Sequence, residues 1–200
     1  TKMVVPGDFQ GYYPRGAGII GFQHTQGAYD REIYVLLVQD SKGYYSFPKG
    51  GAKFIQPKWK AQAGRWEGLY ECALREFHEE TGLDVNRLGI QKDDHIDDAK
   101  LGCRYFYADI DVSEAYPADP DKFYQWPWQW DITTEDVWDK NPVVRAAWYR
   151  VEDVLDRRYG VRLSGWRSDA LRRAYNWAWY HNQAGGECYY RPPSNLETVS

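Results

Sequence analysis

Short apolar runs separated by turn residues predict most of the strands of this chain. The runs Ala17–Phe22 and Ile33–Gln39 predict buried strands, and the second is apolar enough to be covered on both faces. Tyr44–Phe47 predicts a short strand after a turn. Two longer strands are predicted over Leu101–Val112, where side chains alternate in character, and over Val143–Val151. The chain therefore contains enough strands for a sheet of ordinary size.

Helical spacing of apolar residues predicts two longer helices. The first spans Glu67–Thr81, and Gly82 follows it at a position that favours a positive φ. The second spans Asp169–Gln183, with Ser168 as its predicted N-cap, and a short helix begins at Glu152. The apolar faces that we expect to pack consist of Tyr70, Ala73, Leu74 and Phe77 in the first helix, and of Leu171, Ala174, Tyr175 and Ala178 in the second. The pattern therefore predicts both strands and helices.

Several stretches show neither the pattern of a strand nor the spacing of a helix, and they are predicted to be irregular. These stretches are residues 1–16, the segment Ala52–Gly64, the acidic segment Asp84–Asp98, the Trp-rich segment Glu114–Asn141 and the last fifteen residues. The Trp-rich segment contains too many aromatic side chains for a free loop. We expect it to fold over the core or to form one wall of a cleft.

Three glutamates fall on one face of the first helix. Glu76, Glu79 and Glu80 stand at i, i+3 and i+4, so their carboxylates lie close together and repel one another. Such a cluster needs a counter-charge, and a hard cation such as Mg²⁺ takes oxygen ligands. The pattern therefore predicts a helix that packs with one face and binds metal with the other.

Composition and charge narrow the class of protein. Two hundred residues with 43% hydrophobic content fit one domain, and the net charge of −4 gives no general attraction to nucleic acid or to anionic membranes. No apolar run is long enough to cross a membrane, so we expect no membrane partner. The three cysteines, Cys72, Cys103 and Cys188, show no CxxC spacing, which favours a reducing compartment and a cytoplasmic location.

The first helix carries a longer motif that resembles a known family. Glu67 is followed after seven residues by Arg-Glu-Phe-His-Glu-Glu-Thr-Gly-Leu, which ends at Leu83. Every fixed position from Glu67 to Leu83 matches the second half of the Nudix box. The front half departs from the pattern, because the box glycine would fall at Ala61. Gly51, in Phe-Pro-Lys-Gly-Gly, is the better match and leaves an insertion of ten residues before Glu67.

The resemblance to Nudix hydrolases implies a fold and a domain extent. We expect an α/β/α sandwich around a mixed sheet, with the box helix between strands, an aromatic-rich insertion and a C-terminal helix. Residues 1–200 would form a single Nudix domain, with its core at about residues 15–158 and the C-terminal helix and tail at 159–200.

The resemblance also implies an activity and a set of site residues. The activity is Mg²⁺- or Mn²⁺-dependent hydrolysis of a pyrophosphate bond. Glu76, Glu79 and Glu80 would be metal ligands, together with the backbone carbonyl of Gly51. Glu79 or Glu80 would also act as general base, and Arg75 and Glu67 would orient the carboxylates. The family often uses a further acidic residue on a loop before the last strand, and the candidates here are Glu135, Asp136 and Asp139.

Substrate contacts are expected beside this helix. Lys49 follows a strand and can reach a phosphate, and the insertion interleaves cations with aromatic rings that suit a ligand containing phosphate and base. A solvated loop is an equally good reading of the insertion. The substrate-binding candidates are Lys49, Lys58, Lys60, Trp59, Trp66 and Trp126.

Local likeness indicates a first candidate substrate. Phe-Pro-Lys-Gly and the run Cys-Ala-Leu-Arg-Glu resemble messenger-RNA decapping Nudix enzymes, which implies capped RNA as the partner and an aromatic site for the cationic cap base. Diphosphoinositol polyphosphates, dinucleoside polyphosphates and ADP-ribose remain alternatives. A non-enzymatic function is also possible for this fold, namely that of a non-catalytic interaction module. Such modules usually lose glutamates of the Nudix box, and this chain retains all of them.

Overall fold

The computed structural model describes residues 14–26, 31–56, 63–98, 100–110, 129–133 and 140–183. Most of the strands form one eight-stranded sheet. Its strands are β1 (Gly16–Gln26), β2 (Arg31–Asp40), β3 (Tyr45–Ser46), β4 (Lys49–Gly51), β7 (Leu88–Asp98), β8 (Cys103–Ile110), β9 (Gln129–Asp131) and β10 (Val143–Arg150). A separate ribbon is formed by β5 (Phe54–Ile55) and β6 (Arg65–Trp66). The helices are α1 (Leu69–Thr81), α2 (Val151–Leu155) and α3 (Gly165–Gln183), with single 3-10 turns at Val85–Arg87 and Arg158–Gly160.

The main sheet is mixed, as the resemblance implied. The strands run in the order β7-β8-β1-β2-β10-β9, with β3 paired to β2 and β4 paired to β1. Among the described strands only the β1–β8 pair is parallel, and its register places Gly16 opposite Cys103. The antiparallel β1–β4 pair places Gly16 opposite Gly51. One end of β1 therefore brings β4 and the start of β8 together.

Helices cover both faces of this sheet. Side chains alternate along β1 and β2, so Ile20, Phe22 and Leu37 face α2 and α3, whereas Ile19 and Leu36 face α1. The α3 residues Leu171, Ala174, Tyr175 and Ala178 are all buried, as their spacing predicts. In α1, Ala73 and Phe77 are fully buried, and Tyr70 and Leu74 pack at the edge of that core. The predicted α/β/α sandwich is confirmed.

The prediction of an irregular segment over Asp84–Asp98 is wrong for most of its length. Leu88–Asp98 forms β7, which pairs with β8 at one edge of the sheet. Its acidic residues have partners that the sequence did not reveal: Arg104 contacts Asp97 at 2.8 Å, and the indole of Trp177 donates to Asp94 at 2.8 Å. Charged residues are common on edge strands, where they discourage pairing with another chain.

Further details of the helices and loops differ from the predictions. Within the Trp-rich segment predicted to be irregular, Gln129–Asp131 forms β9 and pairs with β10. Helix α3 begins at Gly165 rather than Asp169, and the Ser164 hydroxyl accepts from the Arg167 amide at 3.4 Å, so Ser168 lies inside the helix. The segment Ala52–Gly64 is not wholly irregular, because Phe54–Ile55 pairs with β6. The pairing of Phe54–Ile55 with Arg65–Trp66 joins two parts of the chain that local periodicity does not connect. Among the described residues, no helix is long and apolar enough to cross a membrane.

Candidate active site

Helix α1 presents its carboxylates beside β4. The helix begins after Gly68 and ends at Gly82, whose φ of 71° is left-handed and whose amide donates to the His78 carbonyl at 2.8 Å. Glu76 is buried, Glu80 is half-buried and Glu79 is exposed. The Lys49 amide of β4 donates to a Glu80 carboxylate oxygen at 2.7 Å. Strand β4 thus fixes one end of the acidic cluster.

Arg75 holds the other carboxylates together. Its guanidinium donates to both oxygens of Glu67 at 2.8 Å, to Glu76 at 2.6 Å and to Glu79 at 2.9 Å. It also donates to the backbone carbonyl of Gly51 at 2.8 Å. A planar guanidinium can meet a carboxylate with two parallel hydrogen bonds, which fixes orientation as well as charge. These contacts fix the orientation of the Glu67 carboxylate, and the roles of Arg75 and Glu67 in the reaction stay predictions.

The two buried carboxylates of the cluster have opposite pKa shifts. Hydrogen bonding from Arg75 holds the pKa of Glu67 below its usual range. Burial raises the pKa of Glu76, although the charge of Arg75 opposes the rise. Glu67 is therefore fixed as an anion, whereas the anionic form of Glu76 depends on nearby positive charge.

Gly50 and Lys53 belong to this site, and the sequence analysis did not select them. A Cβ at Gly50 would overlap the Glu76 carboxylate, so only glycine permits this close approach. The ammonium of Lys53 lies 3.3 Å from both oxygens of Glu79, and its amide donates to Glu67 at 3.1 Å. The glycine pair was visible in the sequence, but only the fold shows which member touches the helix.

The β5–β6 ribbon lies beside the carboxylates. On one face, Arg65 pairs with Glu71 of α1 through two hydrogen bonds of 2.8 and 2.9 Å. Phe54 and Trp66 are opposite each other in register, with ring centroids 5.5 Å apart, and they are 44% and 50% exposed. Since side chains alternate along strands, these rings lie on the face away from α1. Trp66 is therefore exposed next to the acidic cluster, not within it.

Several candidate residues lie outside the described part of the chain. These are Lys58, Trp59 and Lys60 of the insertion, Trp126 of the Trp-rich segment, and the acids Glu135, Asp136 and Asp139. Their proposed roles stay predictions. Among the candidates that the structure does describe, Glu67, Arg75, Glu76, Glu79, Glu80, Lys49 and Gly51 all meet at the junction of α1 and β4.

The donor atoms suit a hard divalent cation. The cluster offers carboxylate oxygens and the backbone carbonyls of β4, which are the ligands that Mg²⁺ and Mn²⁺ prefer. Arg75 and Lys53 supply the counter-charge in the structure, and within its described ranges no three His, Cys, Asp or Glu side chains converge closely enough to hold a metal. The oxygen donors of this cluster are therefore chemically suited to Mg²⁺ or Mn²⁺.

Comparison with known proteins identifies the family. The family model described as NUDIX domain matches residues 12–165. The chain belongs to the Nudix family. It is accordingly a Nudix pyrophosphohydrolase, and enzymes of this family generally use Mg²⁺ or Mn²⁺. No curated protein matches the sequence.

Two solved structures share the fold. The Ap4A hydrolase of C. elegans, solved as a binary complex, is 18% identical with a TM-score of 0.54, and the match covers 84% of this chain and 98% of that one. A mutT/nudix family protein from Listeria innocua is 15% identical with a TM-score of 0.51, and the match covers 88% of this chain and 99% of that one. At this level of identity the similarity concerns the fold.

Proposed function

We propose that this Nudix enzyme cleaves a nucleotide-type pyrophosphate and that its substrate is the 5′ cap of messenger RNA. The observation that carries the reaction is the position of Glu76, Glu79 and Glu80 against β4. The same site supports Mg²⁺ or Mn²⁺ binding by these three carboxylates and the carbonyl of Gly51. A bound divalent cation would lower the pKa of water and offset charge on the phosphoryl oxygens.

The roles of the chain's own residues follow from their contacts. Glu79 or Glu80 accepts the proton of the attacking water, whose oxygen forms a bond to phosphorus while the bond to the bridging oxygen breaks. Arg75 keeps Glu67 and Glu79 in place, since it contacts both within 2.9 Å. The Lys49 amide positions Glu80. Each of these groups is held before substrate arrives, which reduces reorganisation during the reaction.

Features around the carboxylates support a ligand that combines phosphate with an aromatic base. Lys53 and Arg65 provide positive charge on the ribbon, and the exposed rings of Phe54 and Trp66 provide surface for stacking. The Phe-Pro-Lys-Gly motif supports the assignment to capped RNA. We also propose a cytoplasmic location, which the unpaired thiols of Cys72 and Cys103 support.

Dinucleoside polyphosphates are the second candidate substrate. The solved C. elegans enzyme that shares this fold is named for Ap4A, which has bases at both ends of a phosphate chain. The exposed aromatic pair on the outer face of the neighbouring ribbon would serve such a substrate as well as a cap. Diphosphoinositol polyphosphates lack a base and make no use of these rings.

A substrate panel tests both the reaction and its substrate. Capped RNA, Ap4A, ADP-ribose and a diphosphoinositol polyphosphate are incubated with Mg²⁺ or Mn²⁺ and wild type, Glu80→Gln or Glu71→Gln. Release of 7-methyl-GDP from capped RNA is expected. Glu80→Gln should lower the rate roughly 10³-fold, as for loss of a general base, while Glu71→Gln on the same helix should not.

The panel separates the parts of the proposal. Cleavage of Ap4A or of an inositol compound with capped RNA left intact would overturn the substrate assignment and leave the reaction standing. Absence of cleavage with every substrate and metal would instead favour an interaction module.

A further inference from the structure

Arg15 is an exposed arginine at the start of β1 whose charge has no partner in the described structure. Its guanidinium makes no hydrogen bond or ion pair with any residue of the described ranges. Arg75 and Lys53 differ from it, because both pair with glutamates of the acidic cluster. An arginine without a carboxylate partner keeps all its donors available for an anion such as phosphate.

Hydrogen bonds on both sides fix the backbone of Arg15 beside β4. Its amide donates to the Gly102 carbonyl at 2.7 Å, and its carbonyl accepts from the Ala52 amide at 2.9 Å. The next residue, Gly16, pairs with Gly51, and a Cβ at Gly16 would overlap the backbone of β4. The start of β1 is therefore packed tightly against β4, and Arg15 has a defined position.

The pairing of β1 with β4 sets the direction of the Arg15 side chain. Ala17 is opposite Gly50 in this pair. The hydrogen bond from Ala52 to Arg15 continues the ladder, so both residues share the face of that pair. Ala17 and Ala52 pack in the core under α1, and Gly50 lies against the Glu76 carboxylate on the same side. Arg15 therefore leaves the sheet on the face that carries the acidic cluster.

Arg15 is also close to the expected metal-binding carbonyl along the chain. Ala52, which donates to Arg15, directly follows Gly51, whose carbonyl accepts from Arg75 at 2.8 Å. One peptide unit therefore separates the backbone contact of Arg15 from that carbonyl. The stem of an arginine side chain is longer than this, and the exposed guanidinium can meet a ligand bound at the edge of the cluster.

The acidic cluster contains two more anions than cations. Arg75 and Lys53 provide its positive charges. Its glutamates are Glu67, Glu76, Glu79 and Glu80. One divalent cation would bring this cluster to neutrality, so the cluster itself would offer no excess positive charge to a pyrophosphate. A cation outside the cluster is needed to balance the charge of the substrate.

We infer that Arg15 binds a phosphoryl group of the substrate at the edge of the acidic cluster. Its guanidinium donates to two oxygens of one phosphoryl group, a planar arrangement that a lysine ammonium does not reproduce. This inference rests on the proposed function, because it assigns a further residue to the same pyrophosphate substrate. It holds for every candidate substrate, since all of them contain such a group.

Binding of a pyrophosphate analogue tests the role of Arg15 without turnover. Methylenediphosphonate, in which carbon replaces the bridging oxygen, is titrated calorimetrically in excess Mg²⁺ into wild type, Arg15→Ala, Arg15→Lys and Arg162→Ala. Arg162 is the matched control, because it is an exposed arginine whose neighbours Val161 and Leu163 pack in the core on the other face of the sheet. Arg15→Ala should weaken binding roughly 10- to 100-fold, as expected for lost hydrogen bonds to a charged group. Arg15→Lys should recover part of this loss, and Arg162→Ala should bind like wild type.

Stability and metal binding distinguish a substrate contact from a structural role. The amide and carbonyl of residue 15 keep their hydrogen bonds in Arg15→Ala, so Tm should stay within about 2 °C of wild type. The affinity for Mn²⁺, measured by electron paramagnetic resonance, should stay within about twofold. Unchanged analogue binding in Arg15→Ala would overturn the inference. An equal loss in Arg162→Ala, or a parallel loss of Mn²⁺ binding in Arg15→Ala, would overturn it as well, because general charge or an altered metal site would then explain the result.

Steady-state kinetics on the same four proteins separates this inference from the proposed function. If substrates are hydrolysed and KM is unchanged in Arg15→Ala, the reaction stands and the role of Arg15 is wrong. If no substrate is hydrolysed but analogue binding follows the expected order, Arg15 stands as an anion-binding residue and the proposed function is wrong.

Discussion

At the residue scale, the two adjacent glycines of β4 have different surroundings. Gly51 is the better match to the box glycine by its place in the Phe-Pro-Lys-Gly-Gly run, and its carbonyl accepts from Arg75 at 2.8 Å. A Cβ at Gly51 would meet nothing within 4 Å, whereas one at Gly50 would overlap the Glu76 carboxylate. A side chain at Gly50 therefore requires the Glu76 carboxylate to move, whereas one at Gly51 meets no steric obstacle.

This difference predicts opposite outcomes for two neighbouring substitutions. Gly50→Ala should force Glu76 or the backbone to move, and should lower the free energy of unfolding by about 1–3 kcal/mol, as overpacking usually does. Hydrolytic activity should fall with it. Gly51→Ala should leave stability within about 0.5 kcal/mol of wild type, because nothing occupies the space that its Cβ would take. Urea denaturation of both variants measures the contrast. A larger loss in Gly51→Ala would contradict this account.

At the scale of elements, the β5–β6 ribbon connects the insertion to helix α1. Lys53 pairs with Glu79, Arg65 pairs with Glu71, and the Lys53 amide contacts Glu67. These contacts are partly exposed, and each surface ion pair contributes only about 0–1 kcal/mol. The ribbon is thus held to the acidic face of the helix by interactions that a stronger cation could replace.

Replacement of Lys53 should therefore strengthen divalent metal binding. In Lys53→Ala, Glu79 loses a competing cation, and the affinity for Mn²⁺ should rise by up to about fivefold, the equivalent of one surface ion pair. Electron paramagnetic resonance of free Mn²⁺ gives the affinity without any need for turnover. Lys42→Ala, in the exposed turn after β2, is the control and should change nothing. Weaker Mn²⁺ binding in Lys53→Ala would show instead that Lys53 organises the site.

At the scale of the whole molecule, two cores on opposite faces of the sheet bury both described cysteines. Cys72 lies in the core under α1, and Cys103 lies in the core under α3. Burial raises the pKa of these thiols to about 12 and about 11 from an ordinary value of 9.0. Burial of the two neutral thiols therefore contributes fully to the free energy of unfolding below pH 9. This contribution is lost as the pH rises towards 11 or 12, because unfolding then allows the thiols to ionise.

The intact fold should therefore protect both thiols from modification. In a Cys188→Ser variant at pH 8, a disulfide reagent should react with Cys72 and Cys103 at least about 100-fold more slowly than with an ordinary thiol, since the thiolate fraction falls tenfold for each unit of pKa. The same variant in concentrated urea provides the control, where both thiols should react at the ordinary rate. Rapid labelling of the native protein would place one of these cysteines at the surface.

Local pattern predicted some elements well and others poorly. The α1 prediction was sound because its boundaries depend on nearby residues, and Gly82 adopts the left-handed conformation expected of a helix C-terminus. The α3 start differs from the prediction because the hydroxyl of Ser164, rather than that of Ser168, accepts a hydrogen bond from an amide of the first turn. Strand β7 was not predicted because its acidic residues have partners on other elements: Arg104 of β8 pairs with Asp97, and the indole of Trp177 in α3 donates to Asp94.

The sequence by itself determined the reaction chemistry of this protein. The spacing from Glu67 to Leu83 fixes which carboxylates share a helix face, because an α-helix converts sequence separation directly into position. Only the tertiary structure decided which glycine touches Glu76, that Lys53 reaches Glu79, and that Tyr105 packs against Trp166 of α3. Those relations depend on strand register and on the seating of α3, and long-range packing sets both.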